Sequence, residues 1–134
     1  MISADWNSPG ARRVLVADDN EINQLVFRMT LEDAGYAVRI TDDGRKSVEA
    51  ALQDRPDLIV MDITMPVIDG YEAIRLIRKF GPEIGYHPFI VAVTALAMRA
   101  DEQKCLDAGA DAYLAKPVSP ERLVDLLAKA ADSR

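Results

Sequence analysis

The sequence predicts an α/β protein, a doubly wound sheet of five parallel strands interleaved with five helices. Three observations carry this. Five short apolar runs recur along the chain, each followed by an amphipathic stretch. The three strongest, Val14–Ala17, Leu58–Met61 and Phe89–Val93, show no alternation, as expected of strands covered on both faces. Polar residues stand at the carboxyl ends of four runs, where sheets of this kind bind ligands.

Met1 to Arg12 has no periodicity and contains Asn7-Ser8-Pro9-Gly10, so it reads as a flexible leader or linker before a domain spanning 13–131. Val14–Ala17 is the first strand. Ile22, Leu25, Val26 and Met29 then fall at i, i+3, i+4 and i+7, which predicts a helix. Asp33-Ala34-Gly35 suits its left-handed end. Ala37–Ile40, interrupted by Arg39, is an edge strand. A weaker helical pattern follows from Gly44 to Gln53. Leu58–Met61 is a central strand, succeeded by a helix over Gly70–Lys79. Phe89–Val93 is also central, and Arg99–Ala108 reads as a helix closed by Gly109. Ala112–Ala115 is short and weak, the second edge. Ser119 then Pro120 makes an N-cap and first-turn pair for a last helix that aligns Leu123, Leu126, Leu127 and Ala130.

A chain of 134 residues fits one domain. With 16 Lys+Arg against 22 Asp+Glu the net charge is −6, which argues against direct contact with nucleic acid. No apolar stretch approaches the roughly 20 residues of a membrane helix, so no membrane contact is expected. One cysteine, Cys105, excludes an intramolecular disulfide and a cysteine-rich zinc site. No secretory segment opens the chain, and a cytoplasmic setting is expected.

The strand ends carry the chemistry. Asp18-Asp19 follows the first strand, Asp62 ends the third, Thr94 ends the fourth and Lys116-Pro117 follows the fifth. Three converging carboxylates repel one another unless a cation intervenes. Oxygen ligands without His or Cys favour Mg²⁺ or Mn²⁺ over zinc. Lys116 adds a fixed positive charge and Thr94 a hydroxyl. This set matches the needs of a transferring phosphoryl group. A carboxylate can itself be the nucleophile, giving an acyl phosphate. Taken singly, each Asp is a common cap or turn residue, Thr94 an ordinary turn hydroxyl and Lys116 a solvated lysine. Independent caps have no reason to produce this order on successive strands.

The motifs Val14-Leu15-Val16-Ala17-Asp18-Asp19-Asn20, Met61-Asp62-Ile63-Thr64-Met65-Pro66-Val67-Ile68-Asp69-Gly70, Val93-Thr94-Ala95 and Tyr113-Leu114-Ala115-Lys116-Pro117 together resemble the receiver (response-regulator) domain family, the CheY-like fold. The likeness covers nearly the whole chain. It implies strand order 2-1-3-4-5 and a phosphorelay module that takes a phosphoryl group from a histidine kinase or histidine phosphotransfer protein. Asp62 would be the phosphoacceptor. Asp19 and Asp62 would bind Mg²⁺ through side chains, Asp18 mostly through water and Thr64 through its carbonyl. Lys116 and Thr94 would contact the phosphoryl oxygens. Tyr113 would turn inward as Thr94 moves, altering the face of helix four, strand five and helix five for a downstream protein. The family usually has a cis Lys116–Pro117 bond, and Thr64 and Leu96 occupy positions that tune dephosphorylation.

The stretches Asp19–Asn23 and Cys105–Pro117 look like receivers of hybrid histidine kinases, whose membrane-bound members would tether such a domain. Such a domain catalyses its own phosphorylation and dephosphorylation without being a stand-alone multiple-turnover enzyme. A haloacid-dehalogenase-like phosphatase would need an Asp at position 64, where Thr64 stands. A flavodoxin-like cofactor domain would need a phosphate-cradling loop after strand one. A phosphorylation-independent interaction domain would not need Thr94, Tyr113 and Lys116 intact. His87 reads as a surface loop histidine, Met61 as core, Met65 as a loop residue, Cys105 as half-buried packing and Trp6 as a leader residue that packs little.

Overall fold

The computed structural model describes residues 5–95 and 98–132, the last two by backbone alone. Leu96 lies outside the described residues. The sheet comprises β1 (Arg13–Ala17), β2 (Ala37–Thr41), β3 (Leu58–Asp62), β4 (Phe89–Thr94) and β5 (Ala112–Ala115). All pairs are parallel and the order is β2-β1-β3-β4-β5, so the two weak runs do stand at the edges. The helices are α1 (Glu21–Asp33), α2 (Gly44–Asp54), α3 (Gly70–Phe80), α4 (Arg99–Ala108) and α5 (Pro120–Asp132).

Alternation along each strand divides the core into two layers. Leu15, Ala17, Ile59, Met61, Ile90 and Ala92 pack on one side with Ile74 and Ile77 of α3. Val14, Val16, Val60, Val91 and Val93 pack on the other with Phe27 and Leu31 of α1 and Leu123 and Leu127 of α5. Two layers over a five-stranded sheet explain why the central runs must be apolar at every position.

The helix boundaries follow local chemistry. Asn20, Asp43 and Asp69 each accept a backbone N–H through their side chains at the starts of α1, α2 and α3. Gly35 takes φ +96° after α1, letting the Tyr36 N–H reach the Leu31 carbonyl at 3.0 Å. Ser119 accepts the Arg122 N–H at 3.4 Å ahead of Pro120.

Two expectations change, for Cys105 and Trp6, and the α1 stripe takes an orientation that its spacing left open. The α1 stripe is helical but faces out: Ile22, Leu25, Val26 and Met29 are 73%, 58%, 47% and 64% exposed, while Phe27 and Leu31 turn inward. The helix exists as predicted, and its larger apolar face is the one left to solvent. Cys105 is fully buried, not half-buried, and burial pushes its thiol pKa up. Trp6 does not pack loosely: it is 9% exposed and lies over the guanidinium groups of Arg13 and Arg39. His87 is exposed in the loop before β4, and Met65 is a loop residue turned inward.

Candidate functional site

Parallel pairing brings the carboxyl ends of β1, β3, β4 and β5 to one edge of the sheet, and with them the polar residues. Backbone bonds carry the register past the strands: Ile63 N–H reaches the Val93 carbonyl at 2.9 Å and Lys116 N–H the Thr94 carbonyl at 2.8 Å. Asp18 and Asp62 are buried at 0% and 3% exposure, Thr94 is buried, and Asp19 is exposed. One carboxylate oxygen from each of Asp18, Asp19 and Asp62 lies within 4.8 Å of the other two. Lys116 Nζ donates to Asp62 Oδ2 at 2.9 Å. The other oxygen, Asp62 Oδ1, accepts the Thr64 N–H at 3.1 Å.

Asp18 is the electrostatic anomaly. Its Oδ1 accepts the Asn20 N–H at 2.9 Å, but its Oδ2 is buried with no hydrogen-bond partner among the described residues. Burial raises its carboxyl pKa, and the nearby Asp62 charge adds to this, while the Asn20 bond and Lys116 oppose it. An unpartnered buried carboxylate oxygen beside two further carboxylates is what a hard divalent cation would satisfy. The donor set is oxygen only, so the residues fit Mg²⁺.

Sequence reading missed three supports. Gln24 Nε2 donates to the Asp18 carbonyl at 2.6 Å and holds the end of β1 against α1. Asn20 both donates to Asp18 and caps α1, so one residue starts the helix and orients an acid. Gly70 admits no side chain: a Cβ there would sit 2.7 Å from the Ile63 Cα and against the Asp62 carbonyl. Its N–H reaches the Ile63 carbonyl at 2.8 Å, closing the loop that leaves Asp62. Asn20 and Gly70 both stand in the motifs quoted above, without these roles, and Gln24 gave no signal.

Away from the carboxylates, Tyr113 is half-buried on β5. A hydrogen bond to the Glu102 carboxylate of α4 holds its hydroxyl pKa above the usual value. The Lys116–Pro117 bond is cis.

Comparison with known proteins agrees with this geometry. The response regulator receiver domain model matches residues 14–128. The polar-differentiation response regulator DivK of Brucella anthropi is 36% identical over 116 residues, covering 87% of this chain and 93% of its own. Hybrid signal transduction histidine kinase I of Dictyostelium discoideum is also 36% identical over 87% of this chain, which spans 7% of that kinase. Among solved structures, the receiver domain of sensor histidine kinase PA1611 from Pseudomonas aeruginosa, with magnesium in its active site cleft, superposes with a TM-score of 0.78 at 36% identity. That match covers 90% of this chain and 97% of the other. The receiver of Saccharomyces cerevisiae Ssk1, solved with the histidine phosphotransfer protein Ypd1, gives a TM-score of 0.80 at 31% identity over 84% of this chain and 83% of the other. An acidic pocket at the strand ends, a lysine on its central carboxylate and the 2-1-3-4-5 sheet have one common explanation: this chain belongs to the response regulator receiver domain family.

Proposed function

We propose that the chain accepts a phosphoryl group from a partner phosphohistidine onto Asp62. The observation that carries this reading is the Asp62 carboxylate, 3% exposed, paired with Lys116 at 2.9 Å and flanked by Asp18 and Asp19. In the transfer, an Asp62 carboxylate oxygen forms a bond to phosphorus as the phosphorus–nitrogen bond of the donor breaks. The imidazole leaves with the electron pair and takes up a proton. Lys116 keeps its positive charge and passes from the free carboxylate to a phosphoryl oxygen. Mg²⁺ held by Asp18, Asp19, Asp62 and the Thr64 carbonyl would neutralise phosphoryl charge. Thr94 supplies a hydroxyl to the product. Tyr113, tied to Glu102 at the β5–α4 boundary, passes the change to the α4-β5-α5 face, where a downstream protein would bind. Residues 13–131 form the unit that does this, in a cytoplasmic setting. No helix among the described residues is long and apolar enough to cross a membrane.

The exposed α1 stripe supports a protein donor. A hollow of about 470 Å³ lined by Asn23, Val26, Phe27, Lys116, Pro117 and Val118 joins that apolar surface to the pocket lysine. A helical histidine-bearing partner seated there would present its phosphoryl group beside Asp62. Incubation with acetyl phosphate and Mg²⁺ should add one phosphoryl mass by intact-protein mass spectrometry, and Asp62→Asn should abolish it. Labelling of the Asn variant at the wild-type level would refute the assignment.

A further inference from the structure

The segment ahead of β1 holds a built contact remote from the phosphoacceptor pocket. Trp6 is the chain's sole tryptophan, and its ring centre lies 5.1 Å from the Arg13 guanidinium carbon and 4.8 Å from that of Arg39. Both arginines are anchored a second time. Arg39 pairs with Asp54 at 3.1 Å, and Arg13 Nη2 donates to the Arg55 carbonyl at 2.8 Å. Asp54 is the last residue of α2 and Arg55 caps it. Arg39 stands opposite Leu15 in the β1–β2 register, so the ring packs on the α2 side of the sheet. Arg13 opens β1, which places the contact toward the amino ends of the strands, the pole opposite Asp62.

The backbone is shaped to deliver Trp6 there. Asn7 N–H donates to Asp5 Oδ1 at 3.1 Å. Ser8 N–H reaches the Asp5 carbonyl at 3.0 Å, and Ala11 N–H the Ser8 carbonyl at 3.1 Å, folding the segment into two successive turns. The Arg12 carbonyl then accepts the Ala37 N–H at 2.9 Å and joins the sheet.

We propose that residues 5–12 are a releasable strap, buckled by Trp6 between Arg13 and Arg39, that fixes how the chain enters the domain at the pole opposite the phosphoacceptor pocket. Cation–π contacts at partly exposed sites are individually weak, so such a strap opens locally without unfolding the sheet. Docked, it locks the incoming chain to the end of α2. Undocked, it is a flexible tether, and the orientation of whatever precedes it is lost.

The full chain reports on this directly, because all tryptophan fluorescence comes from Trp6. Wild type should emit at a blue-shifted wavelength and resist acrylamide. Arg39→Ala should raise the quenching slope about twofold and speed tryptic cleavage after Arg12 about fivefold, as the open population grows. Arg39→Lys, which keeps a charge for Asp54 but loses the planar guanidinium, should fall between. The urea midpoint by far-UV circular dichroism should move little in either. Wild-type emission typical of solvated tryptophan, or unchanged quenching in Arg39→Ala, would overturn the proposal. So would loss of the whole fold in step with the quenching change, since Trp6 would then be ordinary core. Labelling by acetyl phosphate should be equal in all three proteins. Its absence in all three would sink the phosphoacceptor reading and leave the strap standing.

Discussion

Asp18 shows how one side chain links metal, pH and stability. In metal-free protein its carboxyl binds a proton at higher pH when folded than when unfolded, because burial and the Asp62 charge disfavour the anion. As the pH falls from neutral toward the ordinary value of 3.8, the folded state gains this proton first, so the group's contribution to stability rises. Asp18→Asn removes the buried charge and should stabilise the metal-free protein by about 1 kcal/mol in urea melts at neutral pH. Mg²⁺ at about a hundredfold its Kd should add about 2.7 kcal/mol to wild type. The variant should lose most of that increment. An unchanged Mg²⁺ response in the variant would remove Asp18 from the metal site. Val67 is the second residue under tension. It is β-branched, holds φ +72° in the loop after Asp62 and is 70% exposed, so it gains no packing from that conformation. Val67→Gly should raise stability by about 1 kcal/mol, read as a higher melting temperature with Asp62 labelling intact.

At the scale of elements, α1 separates helix formation from core formation. Its apolar spacing predicts a helix, and a helix forms, yet Phe27 and Leu31 bury while Ile22, Leu25, Val26 and Met29 stay out. In α5 the same kind of spacing, Leu123, Leu126, Leu127 and Ala130, does face inward, with Leu123 and Leu127 fully buried. Periodicity states that a face exists; which face the sheet covers depends on how the helix is rotated, and that is set by tertiary contacts. A double change Val26→Ser and Met29→Ser should therefore alter stability by no more than about 0.5 kcal/mol. Transfer from a phosphohistidine protein should slow by about tenfold, while labelling by acetyl phosphate should be unaffected. Equal slowing with both donors would place the defect in the pocket and not on a docking face. The strands were legible for a different reason. A parallel strand buried on both faces has little choice of composition, so Val14–Ala17, Leu58–Met61 and Phe89–Val93 declare themselves. The pocket residues were legible because strand ends in such sheets converge. Gln24, Asn20 and the strap were not, since each acts through a local bond that no period or spacing announces.

Across the whole molecule, the two poles of the sheet carry different work. The carboxyl ends gather charge that repels itself, while the amino ends gather bonds that hold elements together. Arg78 of α3 is the hub of that second pole. Its Nε donates to the Gly109 carbonyl after α4, its Nη1 to the Pro88 carbonyl ahead of β4 and its Nη2 to Asp111 ahead of β5, each at 2.8 Å. Asp111 Oδ2 also accepts the Ile90 N–H at 2.8 Å, so one ion pair ties a helix to two strands. Gly109 leaves room for this arginine, since a Cβ there would meet the Arg78 Cγ at 2.6 Å. Single hydrogen bonds contribute about 1 kcal/mol, and more when a charged group takes part. Arg78→Ala strips two partly buried carbonyls and one exposed carboxylate of their partner at once and should cost about 2 kcal/mol in urea-midpoint stability. Arg78→Lys should recover little, because an ammonium cannot span the three acceptors as a planar guanidinium does. The change lies at the pole opposite Asp62, so the fraction that remains folded should still label fully with acetyl phosphate. A variant that keeps wild-type stability would show that helix and sheet packing alone hold this pole, and one that stays folded but fails to label would show that the two poles are coupled.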